Sequence, residues 1–311
     1  MKKIKVAVLF GGKSAEHEVS LLSAKSVMGN INKEIFEIIP VKIAKNGKFS
    51  LPEIFSAEVI FPVLHGGGGE DGSIQGFCET LGKPYVGSGI EASAIALDKI
   101  TSKQIWQNLK LPIPCFQFFN KSRWHKNPLQ IMQKIEPVVF VKPANTGSSI
   151  GVTKVKKKSD LKKAIEKAFK YFYRVIIEEA IDNIREIEVA ILGNNQDLLV
   201  SIPGEIIPAE EFYSYQAKYK LDSGLIIPAK LSNQKTKEIQ KLAIKAFQSL
   251  GCRGMARIDF FLEKPEGKVY LNEINTIPGF TKISMYPKLM AASGISYQDL
   301  LTRLINLSIE K

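Results

Sequence analysis

The chain has 311 residues, 45% of them hydrophobic and 24% charged, the profile of a folded globular protein long enough for two or three packed subdomains. No apolar run approaches the ~18–20 residues that span a bilayer, and the three cysteines (Cys78, Cys115, Cys252) are scattered without a CxxC pair, so neither a membrane span, a disulfide framework nor a zinc site is indicated. The net charge of +12 raises nucleic acid as a partner, but no helix-turn-helix, zinc knuckle or RNA-reading aromatic motif accompanies it, and none is expected to bind. A reducing, cytoplasmic setting is expected, with Cys115 and Cys252 as small core residues.

The N-terminus, MKKIKVAVLF, imitates a signal peptide. Lys5 interrupts the apolar run, however, and GGKSAEHE stands where a small-residue cleavage site should be, so the segment reads as a buried strand. Apolar runs at 4–10, 36–43 and 59–64, separated by glycine turns and helices, predict a parallel-sheet α/β unit, and KPYVGSG (83–89) a short strand leading to a junction. Helices are expected around 98–109, 127–135 and 159–172, alternating with strands near 113–118, 138–142 and 175–178. In the basic stretch 154–174, Leu161, Ile165, Ala168, Phe169 and Phe172 mark one apolar helix face whose lysines turn to water, which explains the charge without nucleic acid. Beyond 181, β-rich segments surround a helix at 232–250, and two helices close the chain. The expected division is 1–87, 88–180 and 181–311. His17 and His125 are expected on the solvent side.

Two motif matches fail. GGKS (11–14) ends like a phosphate loop, but that motif needs glycine where Ala7 sits. HGGGGEDG (65–72) contains a formal GxGxxG, yet Glu70 and Asp71 would repel a pyrophosphate, and the following strand ends in Gly-Ser rather than an acidic residue. The most informative stretch is GMARIDFFLEKPEGKVYLNEINTIPGFT (254–281), two strands around Pro265-Glu266-Gly267, a three-residue turn with glycine where a left-handed residue is wanted. Centring the turn on Glu266 sets Asp259 opposite Glu273 and puts Asn275 on the same face. These are oxygen donors suited to Mg²⁺. Arg257, two residues before Asp259, faces the same side and could meet a developing negative charge; a surface ion pair is its plainer alternative. Upstream, KPANTGSSIGV (142–152) ends a strand in Lys142 and continues in small residues whose N–H groups could cover phosphates.

The ordered set SAEHEVS (14–20), HGGGGEDG, DKITSK (98–103), KPANTGSSIGV, YSYQAKY (213–219), GMARID and NEINTIPGFTKIS (272–284) resembles the D-alanine–D-alanine ligase family of the ATP-grasp superfamily over nearly the whole chain. The resemblance implies a Rossmann-like N-terminal (pre-ATP-grasp) domain followed by a two-part ATP-grasp fold over about 103–306. It also implies ATP and two Mg²⁺ ions (Mn²⁺ being possible), D-alanine as substrate, and a homodimer.

Further roles follow from the resemblance alone. Lys99 and Lys142 would contact phosphates, with Ser149 in the covering loop. Glu178 would lie at the adenine amino group beside the hinge Glu179–Ile181, and Glu186 at the ribose. Asp259, Glu273 and Asn275 would hold the metal. Glu16 would meet the first D-alanine's ammonium and join Ser148 and Tyr219 in a hydrogen-bonded triad, with His65 nearby. Lys218, Ser284 and the backbone of Met285 would hold the second carboxylate. Arg257 and the N–H of Gly279 would face the oxyanion. The segment 219–229 would close as a lid, and Tyr219 favours an amine as second substrate over D-lactate; D-serine is the other alternative. Singly, several have plainer roles: Glu16 as first-turn helix charge, Tyr219 as a core aromatic, His65 as a loop histidine. Ile184 and Arg185 stand where many relatives carry glycine and proline, which loosens the register of Glu186.

Overall fold

The computed structural model describes residues 2–208 and 224–310. The chain begins with β1 (Ile4–Gly11), α1 (His17–Asn30), β2 (Phe36–Ile43), α2 (Leu51–Ser56), β3 (Val59–Val63) and α3 (Ser73–Thr80). The three strands form a parallel sheet in the order β2-β1-β3, and Tyr85 adds a single parallel bridge to Ile60. Burial on both faces makes β3 apolar throughout, as a parallel sheet covered by helices requires. His17 is a correction. It is buried, because its Nδ1 lies 2.6 Å from the Gly12 carbonyl oxygen at the turn out of β1.

The next segment runs α4 (Ile90–Leu97), α5 (Lys99–Asn108), β4 (Phe116–Asn120), α6 (Lys121–Lys126), α7 (Pro128–Gln133), β5 (Val139–Pro143), β6 (Thr153–Val155), α8 (Leu161–Ala168) and β7 (Arg174–Glu179). Asp98 caps α5 by accepting the Thr101 N–H at 2.9 Å. The helix expected around 127–135 is present as α7, and a second short helix, α6, precedes it without having been anticipated. Pro128 has no N–H and bars Asn127 from helical angles (φ −141°, ψ 52°), so one helix stops and another starts. Strand β4 likewise begins at Phe116 rather than 113, because Pro112 and Pro114 have no N–H to give to a ladder. Cys115 is exposed, not in the core; its backbone is tied to Glu179 on both sides while its thiol faces out. The sheet order is β4-β7-β5-β6, all antiparallel. Leu161, Ala164, Ile165 and Ala168 of α8 pack on it, and Lys162, Lys163 and Lys167 face water.

The last part contains β8 (Ile184–Asn194), β9 (Asp197–Val200), β10 (Gly204–Ile207), β11 (Gly224–Ile226), α9 (Asn233–Ser249), β12 (Gly254–Glu263), β13 (Val269–Asn275), α10 (Met285–Ala292) and α11 (Tyr297–Ile309). Its antiparallel sheet runs β11-β10-β8-β12-β13, with β9 beside β8. One face packs Ile187, Val189 and Ile191 against α9, together with Ala92, Ala96 and Trp106 of the α4–α5 segment. The other packs Ala190 and Leu192 with α10, α11 and the N-terminal Val6, Val8 and Phe61. First and last regions therefore share one core.

In the β12–β13 hairpin Asp259 pairs with Glu273 as expected, although beside the turn the ladder pairs Leu262 with Val269 and so is not centred on Glu266. The turn is longer than three residues, since β12 ends at Glu263 and β13 starts at Val269; Asn272 is an extra residue that shifts the ladder between Asp259 and Phe260. Gly267 is not left-handed. A Cβ there would crowd that of Glu263 at 3.1 Å, which favours the smallest residue.

Candidate active site

Strand alternation on β12 and β13 aims Arg257, Asp259, Glu273 and Asn275 at one face. Arg257 donates from Nε to Asp259 Oδ1 at 2.7 Å and from Nη2 to Oδ2 at 2.6 Å, and its Nε lies 3.0 Å from Glu188 Oε2 on the neighbouring β8. Burial works against the Arg257 charge, but Asp259 and then Glu188 outweigh it, so the guanidinium stays protonated far above its ordinary range. Asn275 Nδ2 donates to Asp259 Oδ2 at 3.1 Å, and Lys99 Nζ stands 3.4 Å from Glu273 Oε2. Two carboxylates and an amide on one face, with a guanidinium and an ammonium against them, fit a hard divalent cation, whose charge could replace those partners. Among the described residues no group of three acidic, histidine or cysteine side chains forms a closed metal cage.

This face opens on a cleft of about 730 Å³, including its solvent mouth. Glu16, His65, Ser148, Arg257, Asn275, Gly279, Ser284 and Met285 all line it. Glu16, at the entry to α1, is buried and accepts a hydrogen bond from the Ser148 hydroxyl, 132 residues later. Ser148 and Ser149 hold left-handed angles (φ 49° and 58°), a conformation that costs energy for residues with a side chain and turns the 144–152 loop toward Glu16. His65 is fixed by Ser23 Oγ at 3.1 Å and Glu70 at 3.7 Å. At Gly279 a Cβ would sit 2.7 Å from Ser284 Oγ, so a side chain there would displace the serine hydroxyl. Ser284 precedes α10 and accepts the Thr281 N–H at 3.0 Å; Met285 is the first residue of that helix.

Beside this cleft lies a smaller one, lined by Lys99, Glu273, Asn275, Glu70 and Gly147. Behind it Lys142, on β5, donates to Glu178 Oε2 of β7 at 2.5 Å, while Lys103, one turn beyond Lys99 on α5, stands 3.3 Å from Glu178 Oε1. Burial alone would raise Glu178; Lys103 and Lys142 more than reverse this and hold it at about 2. Lys99 also donates to the Thr146 carbonyl at 2.7 Å. Glu179 Oε1 accepts the Cys115 N–H, Ile181 lies half-buried between β7 and β8, and Glu186 projects half-buried from β8 opposite Phe261 and Ile206.

Lys218, Tyr219 and the first part of the expected lid fall outside the described residues. Residues 224–226 of that segment are β11, paired with β10. Sequence reasoning passed over three residues. Glu188 follows Glu186 by two and so shares its face. Glu70 lines both clefts. Lys103 follows Lys99 by one helical turn. Spacing could have found the first and last; Glu70 becomes visible only when its loop folds back.

A family model described as D-ala D-ala ligase C-terminus matches residues 105–306, and one described as D-ala D-ala ligase N-terminus matches 5–57 and 50–88. The chain is 47% identical to D-alanine--D-alanine ligase B of Clostridium tetani, over 99% of this chain and 94% of that protein. It is 46% identical to the D-alanine--D-alanine ligase of Caldicellulosiruptor bescii, over 100% and 96%. Among solved structures, VanG D-Ala:D-Ser ligase from Enterococcus faecalis (TM-score 0.88, 34% identity, 99% of this chain and 100% of that one) and the D-alanine-D-alanine ligase from Coxiella burnetii (0.88, 34%, 99% and 94%) share its fold. With both halves matched by their models and relatives similar from end to end, the chain belongs to the D-alanine–D-alanine ligase family.

Proposed function

We propose that this protein joins two D-alanines at the expense of ATP, giving D-alanyl-D-alanine, ADP and phosphate for cell-wall precursor synthesis in the cytoplasm. The observation that carries this reading is the cleft in which Glu16, Ser148, Arg257 and Asn275 meet, with Glu273 lining the smaller cleft beside it. A carboxylate acylates poorly because its leaving oxygen is too basic. In the proposed reaction a carboxylate oxygen of the first D-alanine takes the γ-phosphoryl group as ADP leaves, so no protein nucleophile is needed. The amine of the second D-alanine then attacks the acyl carbon, phosphate departs and the amine loses a proton.

Each cleft residue has a task under this reading. Glu16, positioned by Ser148 and Tyr219, pairs with the first substrate's ammonium, and His65 borders it. Ser284, the N–H of Met285 and Lys218 receive the second carboxylate. Arg257 and the Gly279 N–H stabilise the oxyanion of the addition step. Lys99, Lys142 and the Ser149 loop bind phosphates; Glu178, Glu179 and Ile181 take the adenine, and Glu186 the ribose. Asp259, Glu273 and Asn275 would hold two Mg²⁺ ions, or Mn²⁺, which when bound spread the charge of the phosphoryl oxygens. The proposed working divisions are 1–87, 88–180 and 181–311, in a homodimer. Among the described residues no helix is long and apolar enough to cross a membrane.

The test is product analysis with D-alanine, D-serine and D-lactate in competition at neutral pH. Predominant D-alanyl-D-alanine is expected; predominant ester or D-alanyl-D-serine would overturn the choice of second substrate.

A further inference from the structure

The buried ammonium of Lys103 has no task in the reaction as described. Its side chain is 1% exposed, yet the Nζ donates no hydrogen bond among the described residues, and Glu178 Oε1, 3.3 Å away, accepts none. An ammonium with unused donors in a desolvated site is costly, and here burial pulls the Lys103 ammonium below its ordinary range. The arrangement is therefore informative. Glu178 is shared by two lysines of different depth: Lys142, with 11% of its side chain exposed and a hydrogen bond to Oε2, and Lys103, sealed behind Oε1. Of the two, Lys142 is the more exposed, and it sits on β5, which leads directly into the 144–152 loop. Were it to leave with no second cation present, Glu178 would remain as an isolated buried charge, which a protein interior tolerates badly.

We infer that Lys103 is a positioning residue for nucleotide binding, the fixed counter-charge that keeps Glu178 an acceptor-only carboxylate at the base while Lys142 moves from Glu178 to phosphate. The inference rests on the nucleotide reading above and adds how the base is chosen. An ionised carboxylate has only lone pairs to offer, so it rewards a base presenting an amino group and repels one presenting a carbonyl oxygen. Adenine has the amine at its six-position; guanine has the oxygen. Lys103 touches neither. It acts through Glu178, and its i, i+4 relation to Lys99 lets one face of α5 serve both ends of the nucleotide.

The experiment is calorimetric titration of the full-length protein with Mg-ATP and Mg-GTP, without D-alanine, for wild type, Lys103→Met and Lys103→Gln. Thermal melts verify folding. Wild type is expected to prefer ATP. Lys103→Met is expected to weaken ATP about 10-fold or more and to lower the ATP/GTP preference by a similar factor, the size of a charge-assisted hydrogen bond. Lys103→Gln, which keeps a donor but no charge, should fall between. In turnover the Met variant should raise KM for ATP more than it lowers kcat. A folded Lys103→Met or Lys103→Gln protein with unchanged ATP affinity and unchanged base preference would overturn the inference. Failure of wild type to bind ATP at all would instead overturn the nucleotide reading itself.

Discussion

Two sets of carboxylates belong to the proposed site, and they are held in different ways. On the hairpin, Asp259 and Glu273 have 13% and 31% of their side chains exposed and are paired with Arg257 and Lys99, whose own positions border the clefts. Behind them Glu178 is 2% exposed and bracketed by Lys103 and Lys142. The difference matters because exposure decides whether a partner is replaceable. A half-open carboxylate can exchange a guanidinium for a divalent cation at small desolvation cost, whereas a sealed one must keep its counter-charge. The hairpin thus suits charge that arrives with the nucleotide, and the Glu178 cluster suits a recognition surface set before the nucleotide comes.

The strongest way to break this contrast is at Arg257. Arg257→Ala should leave equilibrium ATP binding nearly intact while lowering kcat on the order of 10²-fold or more; a wild-type rate would remove Arg257 from the chemistry. At the hairpin, Glu273→Gln should weaken metal binding about 10-fold or more, read directly from the free Mn²⁺ electron paramagnetic resonance signal with ATP present. Unchanged Mn²⁺ binding would mean that Glu273 is merely a partner for Lys99. Across the cleft, Ser148→Ala should raise KM for D-alanine roughly 10-fold with a smaller change in kcat, by removing one of the contacts that position Glu16.

The smallest effect sharpens the buried side. Glu178 lies below its ordinary value of 4.5, at about 2, because Lys103 and Lys142 outweigh burial. A lowered carboxylate stabilises the fold above its unfolded value and loses that contribution as pH falls through the folded one. Wild type should therefore exceed Glu178→Gln in stability near neutral pH, measured by denaturant unfolding. The gap should close as pH drops from about 4.5 toward 2. A gap constant over that window would show that Glu178 contributes by shape rather than charge.

What could be read in advance follows the range of the interactions involved. The Asp259–Glu273 pairing was expected from a turn centred on Glu266, but beside the turn the ladder pairs Leu262 with Val269, and it is the bulge at Asn272 that brings Asp259 opposite Glu273. That bulge was not legible, since no residue there signals an extra position. The strands of the first sheet were legible from their apolar runs. Burial of His17 and exposure of Cys115 depended on a carbonyl 5 residues away and on backbone bonds to Glu179, neither written in hydropathy. The Glu16–Ser148 bond joins residues 132 apart, and only family likeness suggested it. Lys103 went unnoticed because a lysine on a helix ordinarily faces water.

The measurement that bears most directly on the whole account is phosphate release by purified protein given ATP, Mg²⁺ and a panel of D- and L-amino acids. Release that requires both Mg²⁺ and D-alanine is the predicted result. ATP left unconsumed in the presence of D-alanine, or consumed equally with L-alanine or without metal, would contradict it.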